Sequence, residues 1–390
     1  MQPRTSHARQ TIASVATVVV ATIVTLGFCE LGLRLWDGIP LRPIDIIAYK
    51  ASFVTREAAA EYDPLLGWRH KANRGDPTSN ITGDYGVRMN SNKIKPLPAH
   101  AILAVGDSFT AGADVAEHES YAARLEAMLN YPVINGGVGG YGTDQMILAA
   151  ERLIPLLHPA GVIVGILDDD IDRAAHRTFS GAPKPWFEVR PDGELIHHNN
   201  PVPPPVPRSE NDSAPWFAYS DLAIWVMGRL GRGDLRAIRA GNYEPVDNDP
   251  VAVTCALLRR LKGETEAEHI RLLVFMIYPG NVDEQTLARA AKRAYAVPVA
   301  ACARDAGIET LDLWDELLRV MRDDPTGYRG LYLRYGPRQD GWGHMSAAGN
   351  AFIAQQIAQR LAARGWLPPL IHDASVKGAA SSDQPLNRHE

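Results

Sequence analysis

Cysteine is scarce in this chain, and that scarcity excludes two kinds of protein. Only Cys29, Cys255 and Cys302 occur in 390 residues, too few for a disulfide-built scaffold and without the paired spacing of a zinc site. Cys255 and Cys302 each fall in a helical pattern and read as two separate buried thiols, although they could pair outside the cytoplasm. A surplus of positive charge is also missing. The formal charge of -5 gives no basic field to attract nucleic acid. No internal repeat is present. Between Gln10 and Cys29 charge disappears altogether for twenty residues, and a helix of that length reaches roughly 30 Å, enough to cross a bilayer. A cleaved secretion signal has a shorter apolar core and a small-x-small exit, whereas this run ends in Phe28-Cys29-Glu30. An uncleaved anchor over residues 10–30 is therefore expected. Arg4 and Arg9 precede it and would keep residues 1–9 in the cytoplasm, sending the rest outward. Phe28 before Cys29 excludes a lipoprotein.

What is present is an ordinary globular composition, 46% hydrophobic and 22% charged. A connector over 31–99 carries Tyr62-Asp63-Pro64-Leu65-Leu66-Gly67-Trp68 and Tyr85-Gly86-Val87-Arg88-Met89-Asn90, whose aromatics suit packing on a body. Over 100–366 short apolar runs alternate with helical patterns: Ala101 to Val105, Val133-Ile134, Val162 to Leu167, Leu272 to Ile277, and Ile308 to Leu313. That rhythm predicts a parallel α/β sheet. Thr143 and Ser346 read as helix N-caps, the first ahead of Met146, Ala150, Leu153, Ile154 and Leu157. The rhythm breaks over 174–249, where Pro201 to Pro207 and an aromatic stretch from Trp216 to Trp225 indicate an inserted cap. Core packing within the insertion is the expected fate of Trp216 to Leu230, and His197-His198 reads as a polar loop. The tail 374–390 is small and polar, and disorder is expected there.

Gly106-Asp107-Ser108-Phe109-Thr110 follows directly on the first apolar strand. Ligands of open α/β sheets bind at the carboxyl ends of strands, so Ser108 stands where chemistry is normally done. A serine hydroxyl needs an imidazole to take its proton and a carboxylate to orient that imidazole. Asp340-Gly341-Trp342-Gly343-His344 supplies both, with His344 as base and Asp340 as orienting group. Gly137-Val138-Gly139-Gly140-Tyr141-Gly142 fits a dinucleotide fingerprint, but that reading leaves Ser108 and His344 unexplained. Asp168, Asp170 and Asp172 open like a calcium loop, yet Arg173 and Phe179 occupy its glycine and glutamate positions.

These blocks, with Asn135 to Gly142 between them, make the chain resemble the SGNH or GDSL-type hydrolase superfamily from about Ala101 to Leu361. The anchor, Glu30-Leu31-Gly32-Leu33-Arg34 and Tyr85-Gly86-Val87-Arg88 are similar to its bacterial membrane-anchored branch. The resemblance implies a flavodoxin-like three-layer α/β fold and the cleavage of acyl esters, acetyl esters of cell-envelope carbohydrate first among them, by an acyl-serine route. It implies no metal or organic cofactor, and a site on the outer side of the bacterial inner membrane. An O-acyltransferase using the same residues, or a noncatalytic carbohydrate-binding relative, would be the alternatives. Ser108 matches the nucleophile, Gly140 a backbone oxyanion donor beside the Ser108 N–H, and His344 the base. Two departures follow. Asp340 lies four rather than three residues before His344, and the Asn expected in the third block is replaced in Leu167-Asp168-Asp169-Asp170, with Asp169 the best match and Asp168 next. An ionised carboxylate there would repel an oxyanion, so burial holding Asp169 protonated is the expected remedy.

Overall fold

The apolar N-terminal run folds as helix α1 (Thr5–Asp37) in a computed structural model that describes residues 5–37, 60–75, 80–205, 220–229, 244–278, 293–333 and 343–366. Its most apolar part, Thr11–Leu35, has a mean hydropathy of 2.3, and none of the residues in its most apolar stretch is buried. The helix continues beyond residue 30, where Glu30 and Arg34, one turn apart, pair at 2.8 Å. Length and composition make α1 a helix able to cross a membrane.

Five of the apolar runs become one sheet: β1 (Ile102–Gly106), β2 (Val133–Asn135), β3 (Gly161–Leu167), β4 (Arg271–Ile277) and β5 (Glu309–Asp312). Every pairing is parallel, with Ile102 opposite Val133 and Gly161, Arg271 opposite Gly161, and Leu273 opposite Glu309. The resulting order is β2-β1-β3-β4-β5, the flavodoxin-like arrangement whose switch point lies between the first and third strands. β3 is buried along its whole length because helices cover both faces, and parallel sheets require that cover. Each buried Val or Ile there contributes about 1.5–3 kcal/mol relative to exposure.

Two helix layers supply the cover. After the single turn α2 (Ser108–Ala111), helix α3 (Tyr121–Leu129) packs on the last helix of the body, α9 (Ala347–Ala363). Asn350 fastens that pair, accepting the Tyr121 N–H at 2.8 Å and donating to the Met345 and Ser346 carbonyls. On the other face lie α4 (Thr143–Leu157), α7 (Pro250–Ala267) and α8 (Ala296–Asp305). Ser346 caps α9 as expected, accepting the Gly349 N–H at 3.2 Å. Thr143 does not cap α4: Gly142 is the capping residue, and the Thr143 hydroxyl turns instead to Thr254 at 2.7 Å. Cys255 and Cys302 are not separate thiols. α7 and α8 pack side by side, bringing their Cα atoms to 6.0 Å and joining them in a disulfide.

Within 174–249, two small antiparallel hairpins form, Thr178–Phe179 with Ala182–Pro183 and Trp186–Val189 with Leu195–His198. His197 and His198 thus lie on a strand rather than in a loop, stacked on Phe187 and Trp186 respectively. Between the third strand and this insertion runs α5 (Asp168–Arg173), and within the insertion lies α6 (Asp221–Arg229). Of the stretch Trp216 to Leu230, the described part, α6, meets α1, and the rest lies outside the described residues. Glu30 accepts the Ser220 hydroxyl at 2.8 Å and the Leu222 N–H at 2.9 Å, and Trp225 remains 49% exposed.

A fully buried ion pair pins the insertion to the body. Lys184 donates to Asp144 in the first turn of α4 and to the Arg173, His176 and Pro185 carbonyls. Burial pushes both groups toward neutrality, and each opposes that push in the other. Lys184→Met would leave Asp144 buried without its cation. Denaturant unfolding should register a loss of about 3–5 kcal/mol.

Candidate active site

Gly106 ends β1, and Asp107 turns the chain into α2 by accepting the Phe109 N–H at 2.8 Å. Ser108 is thereby placed at the first helical position, at the carboxyl edge of the sheet beside the switch point. His344 arrives from the far end of the sequence. The bridge between Tyr332 and Met345, the Leu333 N–H on the His344 carbonyl at 2.9 Å, and the Ser346 cap fix its backbone. Its Nε2 lies 2.9 Å from the Ser108 Oγ, and its ring packs edge-on to Phe109 with centroids 5.3 Å apart.

The other ring nitrogen, Nδ1, lies 2.7 Å from Asp114 Oδ2. A carboxylate only accepts, so Nδ1 carries the proton and Nε2 is left to accept from Ser108. Asp114 reaches the ring from the loop after α2, where its backbone takes φ +67, a left-handed conformation that Asp tolerates better than most residues. Nothing in the local sequence marks Asp114 for this place. Asp340, which the sequence puts there, lies outside the described residues.

The glycine-rich turn follows β2 and passes beside Ser108. Gly137 comes so close to α2 that a Cβ would stand 2.2 Å from the Ala111 nitrogen. Gly140 takes φ +80, and a Cβ there would meet the Phe179 ring at 2.5 Å. Only glycine meets both demands at Gly140. Among the described residues, neither the Ser108 N–H nor the Gly140 N–H has an acceptor within the protein. Two donors of this kind can stabilise an oxyanion.

The three aspartates after β3 have separate surroundings. Asp168 accepts the Tyr295 and Ala296 N–H groups at 3.1 and 2.7 Å, capping α8. Burial raises its carboxyl and those two bonds oppose the rise. Asp169 is exposed. The burial expected to hold it protonated is therefore not found, because the helix turn of α5 points it to solvent. Asp170 is the buried member, accepting the Leu167 N–H at 2.8 Å and paired with Arg173. Burial first, and Asp107 next, push its carboxyl well above the usual range. Arg173 also donates to the Tyr141 carbonyl at 3.1 Å and approaches Asp107 at 3.5 Å. Given the exposure of Asp169, Asp169→Asn should leave the rate of any reaction at Ser108 within about twofold of the parent, since no buried donor is gained or lost. A larger change in steady-state rate would place that side chain in the site.

Among the described residues, no group of three or more His, Cys, Asp or Glu side chains is arranged to hold a metal ion.

No protein-family model and no curated protein matches the chain. Solved structures do. A putative lipolytic protein of the G-D-S-L family from Desulfitobacterium hafniense is 14% identical with a TM-score of 0.38, over 67% of this chain and 99% of that one. An acetyl xylan esterase is 14% identical with a TM-score of 0.38, over 66% of this chain and 98% of its own. An acetylxylan esterase from Geobacillus stearothermophilus is 16% identical with a TM-score of 0.38, over 69% and 96%.

Proposed function

We propose that this chain is a membrane-held serine esterase of the SGNH or GDSL type. One observation carries the reading: Ser108, His344 and Asp114 form a continuous hydrogen-bonded line, 2.9 and 2.7 Å long in its two links. In the first step the Ser108 oxygen bonds to the ester carbonyl carbon as its proton passes to His344 Nε2. The carbonyl oxygen becomes an oxyanion held by the Ser108 and Gly140 N–H groups. His344 then gives that proton to the departing alcohol as the ester C–O bond breaks, leaving acyl-Ser108. Water repeats the sequence, losing a proton to His344 and releasing the acid and the free serine. Asp114 stays ionised throughout and stabilises the transient imidazolium.

The substrate class follows from the family resemblance: a small acyl ester, acetyl first, on envelope carbohydrate. α1 holds the body at the membrane, and Arg4 and Arg9 orient it with the sheet outside. The Cys255–Cys302 disulfide suits that oxidising side. Full-length protein in detergent micelles, offered p-nitrophenyl esters of increasing chain length and acetylated oligosaccharides, should release acid fastest from the shortest acyl groups. No turnover of any ester would reject the proposal.

A further inference from the structure

The turn that carries the Gly140 N–H is gripped by two segments that do not belong to the sheet. From the connector hairpin, Ala60–Asp63 with Gly67–His70, Trp68 donates its indole N–H to the Gly139 carbonyl at 3.1 Å. The Tyr141 hydroxyl donates back to the Trp68 carbonyl at 2.6 Å. From the insertion, Phe179 lies directly on Gly140 and stacks on Trp68 at 5.8 Å between centroids, 28° from parallel. Arg173, which donates to the Tyr141 carbonyl, stands 5.1 Å over the Phe179 ring. The two segments also touch each other, for a Cβ on Gly67 would stand 2.5 Å from the Pro183 carbonyl.

The hydrogen bonds bracket Gly140 on both sides, at residues 139 and 141, and the Phe179 ring closes the space above it. A glycine turn left to itself has wide freedom at such φ values, and a misplacement of about 1 Å costs on the order of 100-fold in rate. We infer that Trp68 and Phe179 are positioning residues, a two-sided clamp that holds the Gly140 N–H at its oxyanion-binding angle. This rests on the proposed esterase reading for its catalytic meaning. As a statement about the turn it stands on the contacts alone.

Trp68→Phe keeps a ring against Phe179 while deleting the indole N–H, and Phe179→Leu keeps apolar cover while deleting the stack. Full-length protein in detergent gives two readouts. Without substrate, hydrogen exchange over 137–142 should rise several-fold in either variant, with exchange in β3 unchanged. With p-nitrophenyl acetate, kcat per folded molecule should fall about tenfold while KM stays within about twofold. Unaltered exchange over 137–142 in both variants overturns the clamp whatever the activity does. Faster exchange with an unchanged kcat in an active enzyme overturns its catalytic role. A parent protein that cleaves no ester defeats the esterase reading, and the exchange result still decides the clamp.

Discussion

Ser108→Ala should lower kcat for ester cleavage by at least about 10⁴-fold, with KM nearly unchanged. The hydroxyl is the only atom group removed, and the loop around it is fixed by Asp107 and by the close approach of Gly137 to Ala111. Binding should therefore survive while the covalent route is lost. His344→Ala should cost about as much, because an unassisted hydroxyl is a poor nucleophile at neutral pH. The double variant should be scarcely worse than either single one, since the two groups act as a unit. Steady-state rates of the three variants check this, and additive losses would mean that the 2.9 Å contact is not used in the reaction.

The second large effect falls on the orienting carboxylate. Asp114→Asn preserves shape but offers His344 Nδ1 an amide in place of an acceptor-only group, so the ring can settle with its proton on Nε2. Nε2 then cannot accept from Ser108. A loss of about 10⁴-fold in kcat is the usual scale for this change in a serine triad. Asp340→Asn, by contrast, should stay within a few-fold of the parent if Asp114 fills the role. Side-by-side kcat values for the two variants decide between the residue the sequence motif favours and the one 2.7 Å from the ring.

That pair of aspartates separates what a local sequence pattern encodes from what only the folded chain brings together. The sheet was legible because β-branched runs such as Val162 to Leu167 leave little choice but a strand buried on both faces. Ser108 was legible because its block directly follows such a strand, and a sheet of this order places that junction at the switch point. Asp114 was not, because its contact with His344 joins residues 230 apart and depends on a left-handed backbone that no local pattern announces. The burial expected of Asp169 fails because one turn of helix decides which of three adjacent carboxylates faces inward, and Asp170 is the one that does. Cys255 and Cys302 looked independent because pairing is set by how α7 and α8 meet, which neither helix encodes alone. Trp68 and Phe179 lie in segments that read as connector and cap, so their grip on the Gly140 turn emerges only when both fold over it.

Activation of Ser108 by His344 is open to direct chemical test. A fluorophosphonate phosphonylates a serine so activated far faster than an ordinary one, fluoride leaving as the Ser108 oxygen bonds to phosphorus, and mass spectrometry of the labelled full-length protein identifies the modified residue. The expected result is one phosphonyl group on the peptide containing Ser108, absent from Ser108→Ala and strongly reduced in His344→Ala. A parent protein that takes no label, or takes it equally well without His344, would mean that His344 does not activate Ser108.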